Sequence, residues 1–368
     1  MKELNGSRSS AISESTAIQW VRTQVRALSA YHAPDASGLI KLDAMENPYP
    51  WPEELIQVWL KELGKVSINR YPDPSSATLK ALLRETMGLP QDMEILLGNG
   101  SDELIQLIAL LLQGPERCVL APEPTFVMYR LIALASELEF IGVPLRSNDF
   151  ALDGDAMLQA IEKYQPAAVF LAYPNNPTGG LFDIDVLLAI LAAAPGLVVI
   201  DEAYTSFAET SKMDWLYDYP NLVVLRTLSK LGFAGLRLGF AVGHSAWLTE
   251  MDKLRLPYNI NTLTQVSASF ALQNFSVFEK QITWIRQDRE RLFQELNATD
   301  GITVWPSHAN FILFRTENKS ANEVHIKLKE RGILVKNLHD SHPFLANCLR
   351  VTVGKPEENQ AFLVAIRS

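Results

Sequence analysis

The chain has 368 residues, 48% of them apolar and 20% charged, which is length enough for two domains and a sizeable core and excludes wholesale disorder. A net charge of -9 and a pI near 5.3, with no basic stripe, argue against nucleic-acid binding. An anionic substrate must therefore be met by a few local cations, and two cysteines, Cys118 and Cys348, are too few for a disulfide framework or a thiolate metal site.

The N-terminal stretch MKELNGSRSSAISES lacks an apolar core segment and does not read as a signal peptide. The longest apolar run, Val186 to Ile200, is split by Pro195-Gly196 and is too short to span a bilayer. The expected location is the cytoplasm. Residues from about Thr16 to Ser29 suit a short helix, and Leu39 to Leu42 a short strand. Asn47 to Pro52 holds three prolines and must be extended or turning. Helical spacing follows in Glu53 to Leu63 and, past the proline-punctuated Asn69 to Pro74, in Ser76 to Met87.

From Ile95 strands and helices alternate. Strands are expected at Ile95 to Leu97, Cys118 to Leu120, Phe140 to Val143, Ala167 to Ala172, Leu197 to Ile200, Leu222 to Leu225 and Gly239 to Val242. Helices fall between them at Leu104 to Leu112, Tyr129 to Ser136, Ala156 to Tyr164 and Asp183 to Ala194. Such alternation predicts an α/β fold with a mostly parallel central sheet covered by helices. A long helical stretch, about Thr262 to Asn297, changes the pattern. Beyond it come strands at Ile302 to Val304, Phe311 to Phe314, Ile333 to Val335 and Leu349 to Val353. A helix from Asn322 to Glu330 stops before Gly332, and Pro356 suits the first turn of the last helix. This predicts a smaller α+β domain. The expected organisation is an arm at 1–39 belonging to the small domain, a large domain at 40–265 and a small domain at 266–368.

In an open parallel sheet, ligands bind beyond the carboxyl ends of the strands. Polar residues that follow separate strands therefore converge on one edge. Gly98-Asn99-Gly100-Ser101-Asp102 opens a helix and could hold a phosphate, or could be a capped tight turn. Phe126 could stack on a flat ring or pack in the core. Tyr173-Pro174-Asn175-Asn176-Pro177-Thr178-Gly179-Gly180 is either a polar turn or a set of ligand hydrogen bonds. Asp201 directly follows a buried strand, which costs stability unless something pairs with it, and Tyr204 lies three residues on. Lys230 sits between apolar runs: it snorkels to water, pairs with a carboxylate, or is a desolvated nucleophilic amine. His339-Asp340-Ser341-His342 has no third ligand in view and reads as a solvated loop, with no metal. Taken together, Lys230, Asp201, Tyr204, Arg237 and the Gly98 to Asp102 turn suit pyridoxal phosphate, which needs an amine for its aldehyde and an acid for its ring nitrogen.

Asn175-Asn176-Pro177-Thr178-Gly179, then Asp201-Glu202-Ala203-Tyr204, Ser229-Lys230 and Ala234-Gly235-Leu236-Arg237, in that order, resemble the fold-type I pyridoxal-phosphate aminotransferases. The finer resemblance is to the histidinol-phosphate aminotransferase family. It rests on Leu42 to Pro48, Arg70 to Asp73, Gly98 to Glu103 and Asn347 to Gly354. The resemblance implies that Lys230 carries the cofactor, Asp201 bonds its ring nitrogen, Asn176 and Tyr204 bond its ring hydroxyl, and Phe126 stacks on it. It implies a phosphate held by Asn99, Gly100, Ser101, Asp102, Ser229 and Arg237, with Tyr71 reaching in from a second subunit of a homodimer. Tyr31, Asn47, Tyr258, Lys336 and Arg350 would face the substrate.

The implied reaction moves an amino group between L-histidinol phosphate and 2-oxoglutarate, giving imidazole acetol phosphate and glutamate, in histidine biosynthesis. The alternatives on the same fold are a threonine-phosphate decarboxylase and an aromatic-amino-acid aminotransferase. Three positions depart from the family: Met45 replaces a frequent asparagine, the gap from Lys230 to Arg237 is one residue shorter than in many members, and Lys336 replaces an arginine found in some.

Overall fold

A computed structural model describes residues 19–30 and 34–368. The uninterrupted apolar runs become the centre of a seven-stranded sheet. Its strands are β2 (Glu94–Gly98), β3 (Cys118–Glu123), β4 (Glu139–Pro144), β5 (Ala168–Ala172), β6 (Leu197–Asp201), β7 (Leu222–Thr227) and β8 (Gly239–Gly243). The order is β2-β8-β7-β6-β5-β3-β4. The pairs from β7 across to β4 are parallel, while β8 runs antiparallel to both β7 and β2. Every residue of β5, β6 and β8 is buried. Helices cover both faces of a parallel sheet, so its strands need no polar alternation. The fold is the α/β architecture anticipated from the pattern.

The second sheet orders β1-β11-β12-β10-β9. Its members are β1 (Ile40–Leu42), β9 (Ile302–Val304), β10 (Phe311–Thr316), β11 (Ile333–Asn337) and β12 (Cys348–Thr352). β1 pairs parallel with β11, in the register Ile40 with Ile333, and the remaining pairs are antiparallel. A strand from the start of the chain thus completes a sheet built otherwise from its end. The helix Ala321–Glu330 begins with a capping box between Ser320 and Glu323, and Gly332 follows it at φ 80°.

Two expectations need correction. The stretch Thr262 to Asn297 is two helices, Thr262–Gln273 and Ser276–Asn297. Asn274 breaks them: its backbone leaves the helical region at φ -113°, and its side-chain amide donates to the Phe270 carbonyl. Near the N-terminus, the only helix bounded within the described residues is the four-residue Thr23–Arg26; residues 16–18 lie outside them. Contacts divide the chain into two units, 1–34 and 35–368.

Candidate active site

The site forms where β5, β6 and β7 end. Asp201 is the last residue of β6 and is buried. Its Oδ2 accepts from the Tyr129 hydroxyl at 2.8 Å and its Oδ1 from the Ala203 amide at 3.1 Å. Burial pushes the Asp201 carboxyl up to about 6, and those two bonds hold it from rising further. Tyr204, also buried, accepts at its hydroxyl from Asn176 Nδ2 at 3.2 Å, and burial raises its pKa as well. Asn176 Oδ1 in turn accepts from Arg350, a buried residue of β12 in the other sheet. Arg350 also donates to the Asp43 carbonyl at 3.0 Å and lies 5.2 Å over the Phe311 ring.

Lys230 sits in a single turn, Ser229–Leu231, directly after β7. Its Nζ donates to the Ala44 carbonyl at 3.4 Å and lies 5.8 Å over the Tyr204 ring. Burial first, then the Arg350 charge, lower its pKa to about 8. An amine so placed is neutral often enough near neutral pH to attack a carbonyl.

Opposite lies an anion cradle. The helix Ser101–Leu112 starts here, with the positive end of its dipole and its free amides turned to the cavity. Arg237 approaches Ser229 Oγ at 3.4 Å and Asp102 at 3.5 Å. Gly100 has φ 82°, and a Cβ there would come within 2.7 Å of the Arg237 guanidinium; a Cβ at Gly239 would come within 2.5 Å of the Ser101 amide. Both glycines keep the cradle open. The cavity holds about 90 Å³ and is walled on one side by Phe126. An amine, a buried carboxylate and a cationic cradle on one cavity fit a flat group with an aldehyde, a basic ring nitrogen and a phosphate arm.

Of the residues singled out from sequence, Gly100, Ser101, Asp102, Phe126, Asn176, Asp201, Tyr204, Ser229, Lys230 and Arg237 line this cavity. Arg350 meets it through Asn176. Others stand elsewhere. The Asn99 side chain donates to the Asn259 carbonyl at 2.8 Å, and the Asn99 backbone amide donates to Glu103. Asn47 donates to Gln281 at 2.9 Å and lines a separate cavity of about 470 Å³ between β1 and the end of β12. Lys336 lies beside Arg350 in the sheet register, and burial with the Arg350 charge lowers its pKa. Tyr71 and Tyr258 stack on each other at 4.4 Å, with Tyr71 79% exposed. Tyr31 lies outside the described residues. His339 and His342 each accept a backbone amide, from Asn347 and Phe344, and so serve their own turn.

Sequence reasoning missed Tyr129, Thr227 and the part played by Met45. Met45 lines the cavity at φ 55°, held by Thr352 Oγ1, which accepts its amide, and by Asn310, which donates to its carbonyl. No local signal marks Tyr129: it reads as a core aromatic, and its partner Asp201 is 72 residues away.

Residues 37–366 match the family "Aminotransferase class I and II". A protein of Nitrosococcus oceani named histidinol-phosphate aminotransferase 2 is 55% identical over 350 residues, 95% of this chain and 97% of that protein. One of the same name from Cupriavidus pinatubonensis is 52% identical, covering 94% and 95%. The crystal structure of histidinol-phosphate aminotransferase from Sinorhizobium meliloti in complex with pyridoxal-5'-phosphate superposes with a TM-score of 0.84 at 22% identity, over 95% of this chain and 96% of that one. That likeness is one of fold.

Proposed function

The chain belongs to the class I and II aminotransferases, and from that premise we propose how its residues divide the work. It is a pyridoxal-phosphate-dependent histidinol-phosphate aminotransferase acting in histidine biosynthesis. It passes the amino group of L-histidinol phosphate to 2-oxoglutarate. When bound, the cofactor supplies a reactive carbonyl and a ring that takes up the electrons of the broken C–H bond.

The observation that carries the assignment of roles is one cavity faced by Lys230, Asp201 and the Gly100–Arg237 cradle. Lys230 would be the amine that holds the cofactor, and its Nζ would carry the proton from the substrate's amine-bearing carbon to the carbon that was the cofactor's aldehyde. Its lowered pKa suits both roles. Asp201 would keep a proton on the cofactor's ring nitrogen, since a buried carboxylate favours a cation beside it. Tyr204 and Asn176 would hydrogen-bond the ring hydroxyl, and Phe126, on the cavity wall, would cover one ring face. The Ser101 and Asp102 amides, the Ser229 hydroxyl and Arg237 hold the phosphate. Arg350 leaves Asn176 to fork an anionic group of the substrate.

The active unit is a homodimer. Tyr71, exposed and outside its own cavity, reaches the phosphate of the partner subunit. The enzyme works in the cytoplasm; among the described residues no helix is long and apolar enough to cross a membrane.

Absorbance spectra of the purified holoenzyme test this. Adding L-histidinol phosphate alone converts the bound cofactor to its amine form, and 2-oxoglutarate restores it. A spectrum unmoved by histidinol phosphate rejects the substrate assignment. Lys230→Ala abolishes turnover; a variant at full rate rejects the role of Lys230.

A further inference from the structure

Tyr129 is almost wholly buried, at 1% exposure. A tyrosine in such a place invites the question of why it is not phenylalanine, since a buried hydroxyl costs stability unless it is paired. Its ring needs no hydroxyl for packing: it stacks on Phe170 at 5.0 Å and meets Phe126 edge-on at 5.5 Å. Among the described residues the hydroxyl makes one hydrogen bond, the 2.8 Å bond to Asp201 Oδ2. Among the described residues it is the only side-chain donor on that carboxylate; the other bond comes from the Ala203 backbone. The helix Met128–Ala135 is entered by a turn in which the Tyr129 amide donates to the Phe126 carbonyl at 3.2 Å. One turn thus places Phe126 on the cavity wall and Tyr129 behind Asp201.

We propose that Tyr129 is a positioning residue for the transamination: its hydroxyl fixes the Asp201 carboxylate in the orientation that meets the cofactor's ring nitrogen, and the Phe126–Tyr129 turn sets ring face and carboxylate together. This rests on Asp201 being that partner. Tyr129 does not line the cavity and acts through Asp201 alone. The other titratable groups facing Asp201 are Asp102 from the cradle helix, Lys230 from the turn after β7 and Tyr204 from its own segment. None of them donates a hydrogen bond to it. Burial alone would favour a neutral acid at Asp201, and the Tyr129 bond opposes this.

The test compares Tyr129→Phe, Asp201→Asn and the double variant. In cofactor-free protein, a carbon-13 NMR titration follows the Asp201 carboxyl. In Tyr129→Phe it titrates at higher pH than in wild type, because the lost bond favoured the charged form. In holoenzyme, kcat falls roughly 10- to 100-fold, as for a lost hydrogen bond to a charged group. KM for histidinol phosphate stays within about twofold, since the substrate is untouched. Added to Asp201→Asn, the Tyr129 substitution removes nothing further. An unmoved titration overturns the proposal, even if the melting temperature drops. So does a loss that persists in full on top of Asp201→Asn, or one confined to KM. If Asp201→Asn itself turns over at the wild-type rate, the assignment of Asp201 is what fails. If Asp201→Asn is crippled while Tyr129→Phe is intact, only the role of Tyr129 falls.

Discussion

Lys230 pays for its reactivity in stability, and the sign of the effect is fixed by its lowered pKa. Below about 8, folded and unfolded chains both carry the charge and the burial penalty is present in full. Between about 8 and the ordinary 10.5 the unfolded chain holds protons that the folded one has released, so stability rises with pH. Lys230→Met removes that slope. Urea unfolding of the cofactor-free protein shows the variant more stable than wild type at about pH 7.5, with the gap narrowing by about pH 10. Asp201 has the opposite sense. Its folded pKa of about 6 lies above the ordinary 3.8, so the folded chain binds the extra proton and stability falls as pH rises between those values. Asp201→Asn flattens the fall. At Gly100, φ 82° with ψ 170° is a region that side chains avoid. Gly100→Ala costs about 1–3 kcal/mol in strain and pushes Arg237 from the cradle, so the melting temperature and the cofactor affinity drop together.

At the scale of elements, the strand ends are tied to each other before any ligand arrives. Glu202, just past β6, is buried and accepts from Ser211 Oγ, from the Lys212 amide and, at 2.9 Å, from Nε of Arg226 in β7. This clamp holds the end of β6, with Asp201, against β7, which leads to Lys230. Arg226→Ala leaves Glu202 buried without its cation and costs about 3–5 kcal/mol, read as a fall in the urea midpoint. Most elements were legible because apolar runs and proline or glycine stops are local signals. One wall of the cradle was legible for the same reason, because Gly98, Gly100 and Ser101 sit together in one turn, whereas Ser229, Arg237 and Gly239 reach it from far along the chain. What stayed hidden depends on distant partners. An aromatic at Tyr129 looks like core until Asp201 is seen beside it, and the turning of Asn99 toward Asn259 joins positions 160 residues apart. The pairing of Arg350 with Asn176 spans 174 residues and two sheets.

For the whole molecule, the proposed dimer makes each site a shared one. Mixing Lys230→Ala subunits with Tyr71→Ala subunits gives hybrids in which one site has both side chains intact. Random exchange restores activity in about a quarter of all sites, measured as turnover after mixing two impaired preparations. No recovery on mixing rejects the sharing of Tyr71.

The pairing of β1 with β11 carries a consequence for any attempt to take the molecule apart. Expressed alone, residues 266–368 would carry β9 to β12 but present β11 as a raw edge, with its amides and carbonyls seeking a strand. Such a fragment should clump with copies of itself until a short peptide bearing Ile40, Lys41 and Leu42 is supplied. Gene fusion, shuffling or cutting at that junction would therefore have to carry both tips of the chain as one cassette.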